Sequence, residues 1–269
     1  MRRPGTLAIY AAFYLVFLYA PVILLPLFAF NDGTIIAFPL SGFTTHWFAE
    51  LAQTDALIDS VVTSLIIAVV AAVLATLLGL LAARAAARTM FPLKPGIMGL
   101  IMLPLILPEI IIAVALLVVL SQLGIALASW TVILGHVLLC TPFAIAILNS
   151  AFLALDQSLE EAAQDLGTTK LETFWRVTLP LVMPGIVSSL LISFTISLDE
   201  FIIAFFLSGN EPTLPVYLWS QLRFPARIPV VMALGTLLLI ASLVLLTTAE
   251  YFRRRGAART GQDDHGGFM

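Results

Sequence analysis

Six apolar runs, each about as long as a bilayer's hydrocarbon core is thick, constrain this chain more than any other feature. They cover residues 7–30, 61–83, 97–120, 130–152, 185–207 and 229–249. At 1.5 Å of rise per helical residue, roughly 20 residues cross the roughly 30 Å core. Inside hydrocarbon every backbone N–H and C=O needs a partner within the protein, so only helices or closed barrels can span it. These runs lack the alternation of barrel strands. The expected fold class is therefore all-α: a polytopic membrane protein with six transmembrane helices, one domain over residues 1–252, then a tail at 253–269. Composition agrees, because 61% of the residues are hydrophobic and 11% charged, against about 45–50% and about 25% in soluble domains.

Lysine and arginine orient the spans. With the N-terminus inside, eleven of the thirteen fall on cytoplasmic segments, from Arg2 and Arg3 through Arg84, Arg88, Lys94, Lys170 and Arg176 to Arg253–Arg255 and Arg259. Only Arg223 and Arg227 remain outside. That asymmetry places both termini in the cytoplasm. The first run follows Met1-Arg2-Arg3 as a signal peptide would, but it is too long for an h-region and lacks a small-residue cleavage site, so it reads as a retained anchor. Cys140, the one cysteine, excludes an intramolecular disulfide and a cysteine metal cluster.

The loops differ in character. Residues 31–59, outside, carry Phe43, Trp47 and Phe48, aromatic residues suited to the membrane interface. Residues 208–228, also outside, hold Tyr217 and Trp219. These two could form an aromatic wall for a cation or serve as ordinary interface anchors, and anchoring is the commoner use. The loop at 153–183 is cytoplasmic and holds five of the sixteen acidic residues. Ser158-Leu159-Glu160-Glu161 fits a capping box that starts a short helix, Gly167 suits its left-handed end, and Thr169-Lys170-Leu171-Glu172 offers a second box. Leu159, Ala162, Ala163 and Leu166 share one side of the first helix, with Glu160, Gln164 and Asp165 polar. Its acidic polar face argues against a helix lying on headgroups, which would favour Lys and Arg.

Three carboxylates lie within the apolar runs. Glu109 falls near the middle of the third, after Pro104 and Pro108, which should interrupt the helical ladder there. Asp199 and Glu200 are adjacent in the fifth and point about 100° apart. A charged carboxylate in hydrocarbon costs at least about 2.5–3.5 kcal/mol, so all three should face a bundle interior or a wet cavity. No Lys or Arg lies in any span, so the counter-charge would come from a neighbouring subunit, a proton or a bound cation. A path for a cationic substrate and a set of protonated, hydrogen-bonded carboxyls both remain open. His136, in the fourth run, is read as bonding across helices rather than relaying protons.

Glu161-Ala162-Ala163, Gly167 and Val177-Thr178-Leu179-Pro180, in a cytoplasmic loop before the penultimate span, resemble the EAA signature of bacterial ABC importer permeases. Val177 stands where the signature more often has Ile. Phe43-Thr44-Thr45-His46-Trp47 and Ser193–Glu200 are similar to stretches of the second permease subunit of spermidine/putrescine importers. The resemblance implies a type I importer permease fold, in which the loop forms a coupling helix that docks on an ATPase. It carries docking over to Glu160, Glu161, Ala162, Ala163, Asp165, Leu166 and Gly167, with Leu179 and Pro180 starting the fifth span. Implied partners are a second permease, two ATP-binding cassette subunits holding ATP and Mg, a periplasmic binding protein and membrane lipid, with no nucleic acid. Asp199, Glu200, Glu109, Trp219 and Tyr217 become the candidate substrate path, although such permeases tend to carry Asp at the positions of Glu109 and Glu200.

No GxxxxGK[ST] phosphate loop, HExxH or GxSxG occurs, so neither a catalytic site, a metal site nor a cofactor of its own is expected. An ion-coupled secondary transporter is the alternative class; it too uses broken helices and membrane carboxylates, but has no need of the 158–180 loop. The topology has a direct check. Cysteines introduced by Asp55→Cys and Glu211→Cys should react with an impermeant thiol reagent from the periplasmic side, and Gln262→Cys should not; the reverse pattern inverts the assignment.

Overall fold

A computed structural model describes residues 6–260. Among these the regular structure is helical, with one isolated antiparallel bridge between Asn31 and Phe43. Two compact units are present, one formed by the chain up to Asp55 together with Leu218 onward, the other by Ala56–Tyr217.

In the first unit α1 (Thr6–Ala29) packs along α12 (Ile228–Thr260), and α2 (His46–Ala52) also packs on α12. Helix α1 is apolar all round and exposes Leu7, Phe13 and Phe17, as a helix bathed in lipid does. Contact with α12 is close at Gly235, where an added Cβ would stand 3.4 Å from Leu25. The following loop is organised by Asn31, whose Oδ1 accepts from the Ser41 N–H at 2.9 Å. The Asn31 carbonyl accepts the Trp47 indole N–H at 2.8 Å. Trp47 is therefore buried rather than lying at the interface as the sequence suggested. Phe43, stacked on Phe30, remains exposed. Arg227 pairs with Glu50 at 2.9 Å and ties the entry of α12 to α2.

The second unit is built on α3 (Asp55–Arg88), α5 (Glu109–Gln122), α6 (Ser129–Ala154), α9 (Leu179–Asp199) and α10 (Ile202–Leu207). Helix α3 overruns the apolar run 61–83 at both ends, where Asp55 in its first turn and Arg88 in its last complement the helix dipole. Its buried face is made of small residues, including Ser64, Ala68, Ala71, Ala72, Ala75, Gly79 and Ala83. Backbones can approach closely along such a face, which is how helices associate where lipid removes the hydrophobic drive between them. A hydroxyl contact of 3.1 Å between Thr76 and Ser189 joins α3 to α9.

Two spans depart from the runs read in the sequence. The third is divided into α4 (Lys94–Met102) with a short 3-10 turn to Leu105, and α5, the two pieces meeting at 101°. Pro104 and Pro108 are the cause, since neither donates to the ladder. Among the described residues five helices are long and apolar enough to cross a membrane, or six when this bent pair counts as one. The fifth span, expected over 185–207, instead lies within a helical segment from Lys170 to Asp199 and breaks at Glu200 before α10. A π-turn at Phe174–Thr178 directly precedes Pro180, whose missing N–H falls in the first turn of α9. Helix α12 continues to Thr260, past the start of the tail read at 253; the rest of that tail lies outside the described residues.

Gly79 offers a test of the packing. An added Cβ would stand 2.7 Å from Ala144 Cβ and 3.1 Å from the backbone of α6, whereas nothing lies within 4 Å at Gly96. Gly79→Ala should lower the stability of the detergent-solubilised protein by about 1–3 kcal/mol, read as a fall in melting temperature. Gly96→Ala should leave the melting temperature unchanged or slightly higher.

Candidate functional site

Two places in the second unit gather the residues singled out in the sequence. The first is the loop between α6 and α9, folded as α7 (Gln157–Asp165), α8 (Lys170–Thr173) and the π-turn into α9. Helix α7 is capped by Asp156, not by Ser158: Asp156 Oδ1 accepts from the Ser158 N–H at 2.9 Å. Ser158 lies one residue inside the helix, so the Ser158–Glu161 box does not form. Hydrogen bonds from Ser158, backbone and then side chain, hold the Asp156 carboxyl below its usual pKa, with Arg88 adding to the effect. A lowered carboxyl pKa means the cap is at full strength above the ordinary carboxylate range and is lost as pH falls through the depressed value.

The second box forms as read. Thr169 N–H donates to Glu172 Oε2 at 2.9 Å, and Glu172 N–H donates to Thr169 Oγ1 at 3.3 Å. Between the two helices Gly167 sits at φ +91°, a conformation that a side chain disfavours. Thr168 closes the turn through its hydroxyl on the Ala163 carbonyl at 2.7 Å.

The faces of α7 sort the predicted docking residues. Glu161, Ala162, Asp165, Leu166 and Gly167 are exposed, with Leu166 at 87%, and Ala163 is half-buried. Glu160 is turned inward and buried, its Oε2 2.9 Å from Arg88 Nε. Leu179 and Pro180 open α9, as read. The structure adds Leu171 and Trp175, exposed at 67% and 59% beside α7. Their four-residue spacing was a visible signal for one helical face.

The second place is a cavity of about 530 Å³ lined by Glu109, Leu139, Thr195, Asp199, Glu200 and Phe201, among others. Both helix breaks open onto it. Glu109 begins α5 just after Pro108, where a carboxylate also suits the helix N-terminus. Asp199 ends α9 and Glu200 occupies the gap before α10. Glu109 and Asp199 are exposed, and among the described residues neither is in an ion pair.

Glu200 differs from both. Its Oε1 accepts from the Ile203 N–H at 2.9 Å and its Oε2 from the Ala204 N–H at 3.0 Å, so the carboxylate caps α10. His136 Nε2 lies 3.2 Å from Oε2, off the line of a good hydrogen bond, and its Nδ1 lies 2.7 Å from Ser197 Oγ. The sequence reading found no counter-charge within the chain; for Glu200 the two N–H groups at the start of α10 stabilise the carboxylate, with His136 beside it. The reading of His136 as a group bonding across helices matches this contact between α6 and α9. Tyr217 and Trp219 lie on α11 (Leu214–Gln221) and are not among the residues lining the cavity; Phe201 supplies its aromatic wall.

Residues 75–256, from the middle of α3 through the α7–α8 loop and both breaks, match the model of the binding-protein-dependent transport system inner membrane component. The chain belongs to that family. It is 37% identical over 256 residues to the putrescine transport system permease protein PotI of Escherichia coli K12, covering 92% of this chain and 90% of the relative. To the spermidine/putrescine permease PotC of the same strain it is 34% identical over 248 residues, 92% and 91% of the two chains. The fold is that of a bacterial alginate ABC transporter crystallised with an alginate-bound periplasmic protein, at TM-score 0.71, 21% identity and 93% coverage of each chain. An amino acid ABC transporter solved with histidines matches at TM-score 0.56 and 18% identity, over 79% of this chain and 100% of the other.

This permease is thus a multi-pass inner-membrane subunit of an ABC importer, a transporter component rather than an enzyme, close to the polyamine permeases. The ion-coupled carrier reading falls with that assignment. Gly167 provides the check on the loop. Gly167→Pro, which locks φ near −65° where +91° is needed, should abolish ATP-driven uptake while membrane content of the protein, read by immunoblot, stays unchanged.

Proposed function

We propose that this permease forms, with a second and non-identical permease, the translocation path for a small cationic amine such as a polyamine or an amino-acid derivative. A periplasmic binding protein delivers the substrate. Two separate ATPase subunits, which bind ATP and Mg, drive the cycle by docking on the exposed face of α7 around Glu161, Ala162, Leu166 and Gly167. Both termini are cytoplasmic in this scheme, which puts the docking face on the ATPase side.

The observation that supports a cation is the meeting of Glu109 and Asp199 at one cavity beside two broken helices. A carboxylate attracts an ammonium by about 4 kcal/mol at 4 Å and an effective dielectric of 20, enough to select charge and weak enough to permit release. Relatives named for putrescine and spermidine agree with that charge. The same fold serves an importer of the acidic polysaccharide alginate, so the lining rather than the fold carries this assignment. Glu200, already compensated, keeps the break in shape, and Tyr217 and Trp219 are secondary candidates on the outer segment.

Asp199→Asn should cut uptake of labelled putrescine or spermidine at least several-fold in proteoliposomes, with assembly and binding-protein-stimulated ATP hydrolysis retained. Glu109→Gln should act in the same direction. Wild-type transport by both variants, or a neutral or anionic ligand on the cognate binding protein in a thermal-shift screen, would sink the cation path.

A further inference from the structure

Helix α7 is held to the membrane helices through one carboxylate. Glu160 places Oε2 2.9 Å from Arg88 Nε in the last turn of α3 and accepts the Thr178 hydroxyl on Oε1 at 2.5 Å. Thr178 is fully buried and closes the π-turn that leads into α9. Arg88 also donates from Nη2 to the carbonyl of Leu155, the residue that ends α6, at 3.1 Å. A second tie runs nearby, where the Arg84 guanidinium lies 4.0 Å over the Phe174 ring. The ends of α3 and α6, the start of α9 and helix α7 therefore meet at one partly shielded ion pair.

A residue that docks a separate subunit has to be reachable, and Glu160 is nine-tenths buried while Glu161 beside it is exposed. The two side chains keep only 15% and 12% of their surface exposed, beside a cavity of about 570 Å³ that both line, and removing one partner leaves the other's charge without its counter-ion. The pair consequently favours a single placement of α7 against α3 and α9. Helix α9, 21 residues long, ends at Asp199 on the cavity. At 1.5 Å per residue it spans about 30 Å.

We propose that Glu160 is a positioning residue: through Arg88 and Thr178 it makes α7 move as one body with the ends of α3 and α9, and so carries ATPase closure to the cavity. This rests on the reading of residues 161–167 as the ATPase dock. The coupling route is a chain of named contacts between rigid helices, which is the kind of connection that transmits a displacement.

The test uses the assembled importer in proteoliposomes, with its binding protein loaded with putrescine. Three quantities are read: co-purification of the ATPase, stimulation of ATP hydrolysis by the loaded binding protein, and uptake. With Glu160→Gln the ATPase should co-purify as in wild type, while stimulation and uptake fall about tenfold, within the range found for residues that modulate coupling. Thr178→Val removes only the hydroxyl and should give a smaller loss of the same kind; it decides the matter if Glu160→Gln fails to assemble. Because Glu160 and Arg88 act as a unit, combining Glu160→Gln with Arg88→Gln should be no worse than either alone.

Loss of the ATPase from Glu160→Gln would overturn the proposal, since Glu160 would then be a docking contact. Losses that multiply in the double variant, or wild-type stimulation in both Glu160→Gln and Thr178→Val, would overturn it as well. Ala162→Trp, on the exposed face, tests the dock separately and should release the ATPase. Retention of the ATPase by Ala162→Trp would sink the docking reading while leaving the Glu160 measurements to stand alone.

Discussion

A helix interrupted in hydrocarbon frees backbone groups that have no water to turn to, and the chemistry of this permease follows from how two such interruptions are resolved. At the break after Asp199 the freed N–H groups of α10 find the two oxygens of Glu200, and His136 Nε2 stands 3.2 Å from one of them. At the break before α5 two prolines remove donors in advance, so fewer groups need a partner. Each solution places a carboxylate next to a bend, and both bends open on the same cavity. The polar lining is thus partly a by-product of satisfying the backbone, while Glu109 and Asp199 stay exposed on the cavity.

Around the breaks, packing depends on the absence of side chains as much as on their presence. Gly79 against Ala144 and Gly135 against Ile203 leave no room for a Cβ, and the buried alanines of α3 continue that close approach. In lipid such contacts, with hydroxyl bridges such as Thr76 to Ser189, replace the hydrophobic drive that a soluble core would have. A scaffold so closely packed resists deformation of its individual helices. The π-turn at Phe174–Thr178 sits where the α7–α8 loop becomes a membrane helix, with Thr178 bonded back to α7.

Much of this was legible in the chain itself. Span number, helical class, the left-handed Gly167, the Thr169–Glu172 box and the proline break of the third span all follow from local rules: apolar length, donor counting and the conformational freedom of glycine. Other features were misread because the competing local signals were equal. Asp156 and Ser158 are both good caps two residues apart, and the helix starts after Asp156. Glu160 and Glu161 are adjacent carboxylates with the same propensity, yet one is buried on Arg88 and the other is exposed. Trp47 read as an interface aromatic because nothing local announces that the Asn31 carbonyl, sixteen residues away, will receive its indole N–H.

By itself the sequence determined that the chain must be a helical membrane protein and which loop carries the coupling signature, because both depend on residue type and spacing along a line. Tertiary structure alone decided which carboxylates are compensated and which remain available. His136 and Glu200 are 64 positions apart, and Arg88 and Glu160 are 72, so no window along the chain contains both members of either pair. The field at a charged group is set by what stands within a few ångströms of it, and only folding brings those groups together.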